Sequence, residues 1–209
     1  MTERRPLLIT FEGTEGSGKT TQLRLLAERL RARGLAVTIN QEPGATRIGS
    51  QIRRILLDPE HREMAPITEL LLMFASRAQA AAEIIVPALE RADIVLSDRF
   101  TDSTLAYQGE ARGLGLETVL AVHRLALGSL WPDLTICLVV DVETGLMRAS
   151  ETRMEQQPLE FHKRVEAGYR KIAESEPERF RIIDGAGEPA QVAERVWAEV
   201  ARRLADNKD

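Results

Sequence analysis

The feature that most constrains the fold lies in residues 7–22. There "LLITFEGTEGSGKTTQ" joins a short apolar run to a glycine-rich turn and then to a periodic, helix-forming segment. A strand that feeds a helix through so short a turn needs a parallel sheet for the helix to pack back upon. Within it, "GTEGSGKT" fits the spacing G-x-x-x-x-G-K-[ST] at every fixed position. Its glycines let successive backbone N–H groups turn inward, and the following helix adds positive potential at its N-terminus. Gly13, Thr14, Glu15, Gly16, Ser17, Gly18, Lys19 and Thr20 are therefore expected to cradle the phosphates of a nucleoside triphosphate. Lys19 would reach the β- and γ-phosphates, and the Thr20 hydroxyl would ligate Mg2+. Glu15 is out of keeping, because a carboxylate in an anion-binding turn repels the ligand.

The remaining chain repeats the strand–helix alternation. Strands are expected over residues 7–12, 36–41, 93–98, 133–141 and 180–184. Helices are expected over 18–33, 48–57, 67–89 (bent or ended by Pro87), 116–127 and 189–205, with a charged helix-forming stretch over 143–176. "DLTICLVVD" is apolar on both faces, as in a parallel sheet covered by helices. The expected fold is α/β, one doubly wound five-stranded parallel sheet flanked by helices, forming a single domain over residues 1–209.

Composition narrows the function classes. The formal charge of −4 argues against general nucleic-acid binding. No apolar run approaches a membrane span, and the N-terminal residues lack signal-peptide anatomy, so a cytoplasmic protein without a membrane partner is expected. The single cysteine, Cys137, lies in an apolar strand and reads as buried. Of the 28 basic residues, 24 are arginine, so a special use of Arg has to be argued position by position.

Asp98 ends an apolar strand where open α/β sheets place their ligands, which suits an acid holding Mg2+ or its water; a helix cap is the plain alternative. Arg99 follows it as a candidate phosphate fork. A GTPase would need a base-reading N-K-x-D element after a later strand, and "VVDVE" stands there instead. The short chain better suits a kinase of a small acceptor.

"FEGTEGSGKTTQ", "EPGATRIGSQIRRILL", "SDRFTDSTLAYQG" and "EFHKRVEAGY" together resemble bacterial thymidylate kinases, in family order and over nearly the whole chain. The resemblance implies phosphoryl transfer from ATP with Mg2+ to dTMP, on a P-loop nucleoside monophosphate kinase fold that forms a homodimer. Carried over by position, ATP would lie on residues 13–21, Thr21 included, with Arg148 nearby. Glu15 would meet the deoxyribose 3′-hydroxyl and order the metal's waters, while Arg99 and Arg53 hold the acceptor phosphate. Arg77 would bond the thymine carbonyl, with Glu42, Ser103, Thr104 and Gln108 around the acceptor and Glu155 close to it. Tyr107 would fill the space a ribose 2′-hydroxyl needs. Residues 148–157 would form a short lid, from which Arg153 would reach the transferred phosphate.

This chain departs from the family pattern in places. Its lid is about four residues shorter, and Met73 stands where the thymine-stacking Phe is expected, with Phe74 next to it. Either Met73 covers the base through its thioether, or the helix presents Phe74; Met73 is favoured, because moving the helix by one position would turn Arg77 away as well. Gln41, Ala45 and Phe100 also differ from the usual residues. The competing functions are a kinase of another nucleoside monophosphate or of a deoxynucleoside, and a catalytically weak nucleotide-binding protein.

Overall fold

The computed structural model describes residues 5–91, 93–148 and 152–206. Five strands form one all-parallel sheet in the order β2-β3-β1-β4-β5: β1 (Leu7–Gly13), β2 (Val37–Gln41), β3 (Ile94–Asp98), β4 (Leu134–Val139) and β5 (Phe180–Asp184). The order is doubly wound, as expected. β1 is central because its seven residues are buried on both faces. Alternate residues then face different helix layers. Leu7, Ile9 and Phe11 pack with α1 (Lys19–Arg31) and α9 (Pro189–Asp206). Leu8, Thr10 and Glu12 face the other layer, which includes α3 (Pro66–Ala80), α6 (Leu116–Leu127) and α8 (Leu159–Ser175).

β1 lies between β3 and β4; the chain runs from β1 out to β2, returns to β3 and then crosses to β4 on the other side, so a crevice opens at the carboxyl ends of these strands. Gly13 and Asp98 stand at its edges. α2 (Arg47–Leu57) starts beyond the "EPG" turn, capped by the Thr46 hydroxyl, which accepts the Gly49 N–H at 2.9 Å.

The structure refines three parts of the sequence reading. Pro87 does not end the long helix: α3 continues through a π-helical turn, Ala81–Ile85, into α4 (Val86–Glu90), with Pro87 in the first turn of α4. The wide turn comes directly before the proline, where its missing N–H and its ring would otherwise break the helix. The polar stretch after Arg99 is helical, as α5 (Thr101–Thr104) followed by a π-helical turn, Leu105–Ala111. Its backbone packs directly on α8, where a Cβ on Gly168 would meet Ala106 Cα at 3.0 Å. Residues 143–176 are not one helix but α7 (Val142–Leu146) and α8, because Pro158 starts the second at its N-cap. The expected lid, 148–157, spans this gap, and its residues 149–151 lie outside the described residues.

Candidate active site

The glycine-rich loop takes the form its spacing implies. Gly16 and Gly18 adopt φ of 63° and 87°, and a Cβ on Gly16 would lie 2.0 Å from the carbonyl oxygen of Gly145 in α7. Lys19 folds over the turn, donating to the carbonyls of Gly13 (3.2 Å) and Thr14 (2.7 Å) and to the Ser17 hydroxyl (3.3 Å). Burial, helped by the nearby Arg99 cation, holds its ammonium down to about 8, although Glu15, Asp98 and Glu12 pull it up. Across the crevice, the Thr20 hydroxyl donates to Asp98 at 2.7 Å.

Arg99 is the only described non-glycine residue with positive φ, at 71°. That conformation costs an L-residue roughly 1–2 kcal/mol, and it turns the side chain back over the loop. One guanidinium nitrogen reaches both Glu15 oxygens at 3.0 Å and the Tyr107 hydroxyl at 3.3 Å. The other donates to the Gly13 carbonyl (3.2 Å) and the Ser103 hydroxyl (3.0 Å). Tyr107 also donates to Glu15 at 2.7 Å. Burial alone would raise the Glu15 pKa, but Arg99, Lys19 and the Tyr107 hydroxyl outweigh it and bring it to about 2. The carboxylate is therefore an anion held among cations, and the charge conflict in the loop is resolved locally.

A cavity opens beside this pair. It is lined by Glu42, Arg53, Met73, Arg77, Ser103, Thr104, Tyr107, Gln108 and Glu155, together with Glu15 and Arg99. Arg77 lies at its buried end, paired with Glu42 and donating to the Thr104 hydroxyl at 2.8 Å. Asn40, bonded to Ser97 at 2.9 Å, supports Glu42 from below. Arg53 is held by the Pro43 carbonyl at 2.7 Å. A second cavity, along residues 15–21, carries Lys19, Thr20, Thr21 and Asp98. The two share Glu15, Glu42, Arg53 and Arg99, so one side-chain seam borders both spaces.

Two expected residues are placed elsewhere. Phe74 does not line the cavity: it is buried in the core, edge-on to His123 at 6.3 Å between centroids, and Met73 faces the space instead. The helix keeps its phase because turning it by one position would carry Arg77 away from Thr104. Arg153 is not brought to the loop. It is buried, bonded to the Leu56 carbonyl at 2.8 Å and paired with Glu69 at 2.7 Å, since a buried carboxylate there needs cations. Arg148 lies exposed just past α7, the helix that touches Gly16.

Sequence reasoning missed several residues around the site. Pro43, Leu57, Thr152 and Met154 also line the first cavity. Glu12, one residue before the loop, is fully buried and accepts the Phe100 N–H at 2.7 Å and the Ser103 and Tyr169 hydroxyls. An acidic residue at the end of an otherwise apolar strand was the available signal.

The family model for thymidylate kinase matches residues 11–196 of this chain. Among curated relatives, the thymidylate kinase of Thermomicrobium roseum is 51% identical, over 92% of this chain and 93% of that protein. That of Pelobacter propionicus is 46% identical, over 95% of each. The crystal structure of thymidylate kinase from Ehrlichia chaffeensis superposes with a TM-score of 0.79 at 32% identity, covering 93% of this chain and 98% of that one.

Proposed function

The chain belongs to the thymidylate kinase family, which phosphorylates dTMP to dTDP with ATP, and on that premise we propose how its two cavities divide the substrates. The loop cavity takes the phosphates of ATP, and the Arg77 cavity takes dTMP. The observation that carries this reading is the shared seam of Glu15, Glu42, Arg53 and Arg99. A phosphoryl group moving from the loop into the neighbouring space would pass along these residues. Such transfer needs alignment and positive charge more than covalent help.

In this reading Lys19 and the loop N–H groups hold the donor, and Arg99 and Arg53 hold the acceptor phosphate. Arg77 and Thr104 offer hydrogen bonds to the base, Met73 covers its face, and Tyr107 leaves no room for a 2′-hydroxyl. Ser103 and Gln108 complete the wall. Glu15, kept ionised by Arg99, offers an acceptor for the sugar hydroxyl. The hard oxygens of Thr20 and Asp98, 2.7 Å apart, fit a magnesium ion that keeps most of its water. When bound, that ion would neutralise charge on the transferring phosphates. With Arg153 engaged by Glu69, Arg148 is the lid arginine we assign to the ATP phosphates. Residues 148–157 act as the lid of one domain.

We also assign a homodimer to the outer face of α3 and α6. Pro66–Glu90 is by composition apolar enough to cross a membrane. Its apolar residues fall on two sides, however: Leu70 and Phe74 enter the core, whereas Ile67, Leu71, Ala75, Ala82 and Val86 face outward. Leu125 on α6 is 89% exposed beside that stripe's helix. A second copy would cover this face.

Met73→Ala tests the pocket. Loss of the covering side chain should raise the KM for dTMP by about tenfold, as a lost apolar contact of 1–2 kcal/mol implies, with the KM for ATP unchanged. An unchanged dTMP KM, or UMP and CMP turned over as well as dTMP, would remove the assignment.

A further inference from the structure

Glu69 contacts neither the loop nor the Arg77 cavity, yet it is among the most completely satisfied carboxylates in the described structure. Its side chain is 1% exposed. One oxygen accepts Gln108 Nε2 at 2.7 Å and Arg112 Nε at 3.2 Å; the other accepts Arg112 Nη2 at 3.1 Å and is ion-paired with Arg153 Nη2 at 2.7 Å. Arg112 continues to Gln157 at 2.8 Å, and Gln157 donates to the Arg153 backbone carbonyl at 3.0 Å, which closes a ring of four residues to which Gln108 is attached at Glu69. Burial works against the charge on Glu69, and the two arginines and Gln108 more than restore it.

The ring's members lead to opposite walls of the acceptor cavity. On one side is Gln108, which lines the cavity. An ionised carboxylate only accepts, so Glu69 dictates which end of the Gln108 amide it receives and leaves the amide oxygen for other partners. On the other side is Arg153, whose N–H and Nε bond to the carbonyls of Leu57 (3.1 Å) and Leu56 (2.8 Å) at the end of α2. Its chain neighbours Thr152, Met154 and Glu155 line the same cavity, as does Leu57. Glu69 thus holds two segments that are separated by about forty residues of chain and that both contribute to the wall of the same cavity.

We propose that Glu69 is a positioning residue of the acceptor site, holding Gln108 on one wall and the 152–157 segment on the other, so that affinity for dTMP, not for ATP, depends on the Arg153–Glu69 contact. The proposal rests on the pocket assignment made above, and it gives Arg153 a role distinct from reaching the transferred phosphate.

Arg153→Met in the full chain is the direct test. It removes the cation but keeps a stem, and Glu69 retains Arg112, so the fold should survive. Losing this buried ion pair, and with it the Nε bond to the Leu56 carbonyl, is expected to raise the KM for dTMP about tenfold or more, with kcat and the KM for ATP within about twofold. Glu69→Gln should do the same, and if that variant fails to fold, Arg153→Met decides alone. A fall in kcat at unchanged dTMP KM, an equal rise in both KM values, or wild-type kinetics would each overturn the proposal. Met73→Ala run in parallel separates the failures. If it raises the dTMP KM while Arg153→Met does not, the latch is wrong and the pocket stands; if neither does, the pocket assignment falls as well.

Discussion

Glu12 lies on the face of β1 turned away from α1, and each hydroxyl that donates to it also touches Arg99: Ser103 at 3.0 Å and Tyr169 at 3.4 Å. Burial, reinforced by Asp102, pushes its carboxyl up to about 7 against Ser103, Arg99 and the Phe100 N–H. Between its ordinary value of 4.5 and about 7, the folded state holds a proton that the unfolded chain has released. Its contribution to stability is therefore complete at the acid end of that window and lost as pH rises through it. The thermal midpoint of Glu12→Gln should decline less across this window than that of the parent; parallel curves would remove Glu12 from the pH dependence. At the phosphates, Arg148→Ala should lower kcat on the order of a hundredfold, as loss of one transition-state donor does. Turnover near the parent value would leave Arg148 a surface residue. Lys19, Asp98 and Arg99 were legible because a motif or a strand end marks them. Arg153 was not: nothing in "ETRMEQ" tells a buried pair with Glu69, 84 positions earlier, from a lid arginine facing ATP. The preference for Met73 over Phe74 followed from keeping Arg77 in phase on the same helix, and the packing of α3 puts Phe74 in the core.

Among the elements, α3 carries two apolar faces and therefore two partners. A hydrophobicity pattern reports both together, which is why the apolar run "ELLLMF" does not by itself separate an outward stripe from core. Leu71→Asp, on a side chain 53% exposed in the protomer, should give a monomer by light scattering with an unchanged thermal midpoint at low concentration. A dimer that survives this change is built on another face. The helical turn Leu105–Ala111 escaped the sequence reading because Gly109 and the polar "DST" argue for a loop. Tertiary packing overrides them, since a Cβ on Gly109 would meet Leu116 and Val119 of α6 at 3.2 and 3.4 Å. The contact between the loop and α7 is tighter still. Gly16→Ala would place a Cβ at 2.0 Å from the Gly145 carbonyl at a left-handed φ, a cost on the order of 2–3 kcal/mol. Both the unfolding midpoint and ATP binding should suffer; a variant with parent-like values for both would mean that α7 does not brace the loop.

Across the whole molecule, the strand order was readable in outline because strand–helix alternation with two-faced apolar strands leaves few arrangements other than a doubly wound parallel sheet. What the pattern did not contain is how the two halves meet. The seam of Glu15 and Arg99 joins residues 84 positions apart and depends on one positive φ, which no local propensity announces. That seam gives Glu15 its place in a phosphate loop: its charge is met by Arg99 and Tyr107, between the two cavities. The most direct test is a crystal structure with adenosine and thymidine joined through a chain of phosphates. Thymine is expected between Met73 and Arg77, with the phosphates running past Arg99 to Lys19 and Phe74 still in the core. Thymine bound outside the Arg77 cavity, or a phosphate path that bypasses Arg99, would contradict it.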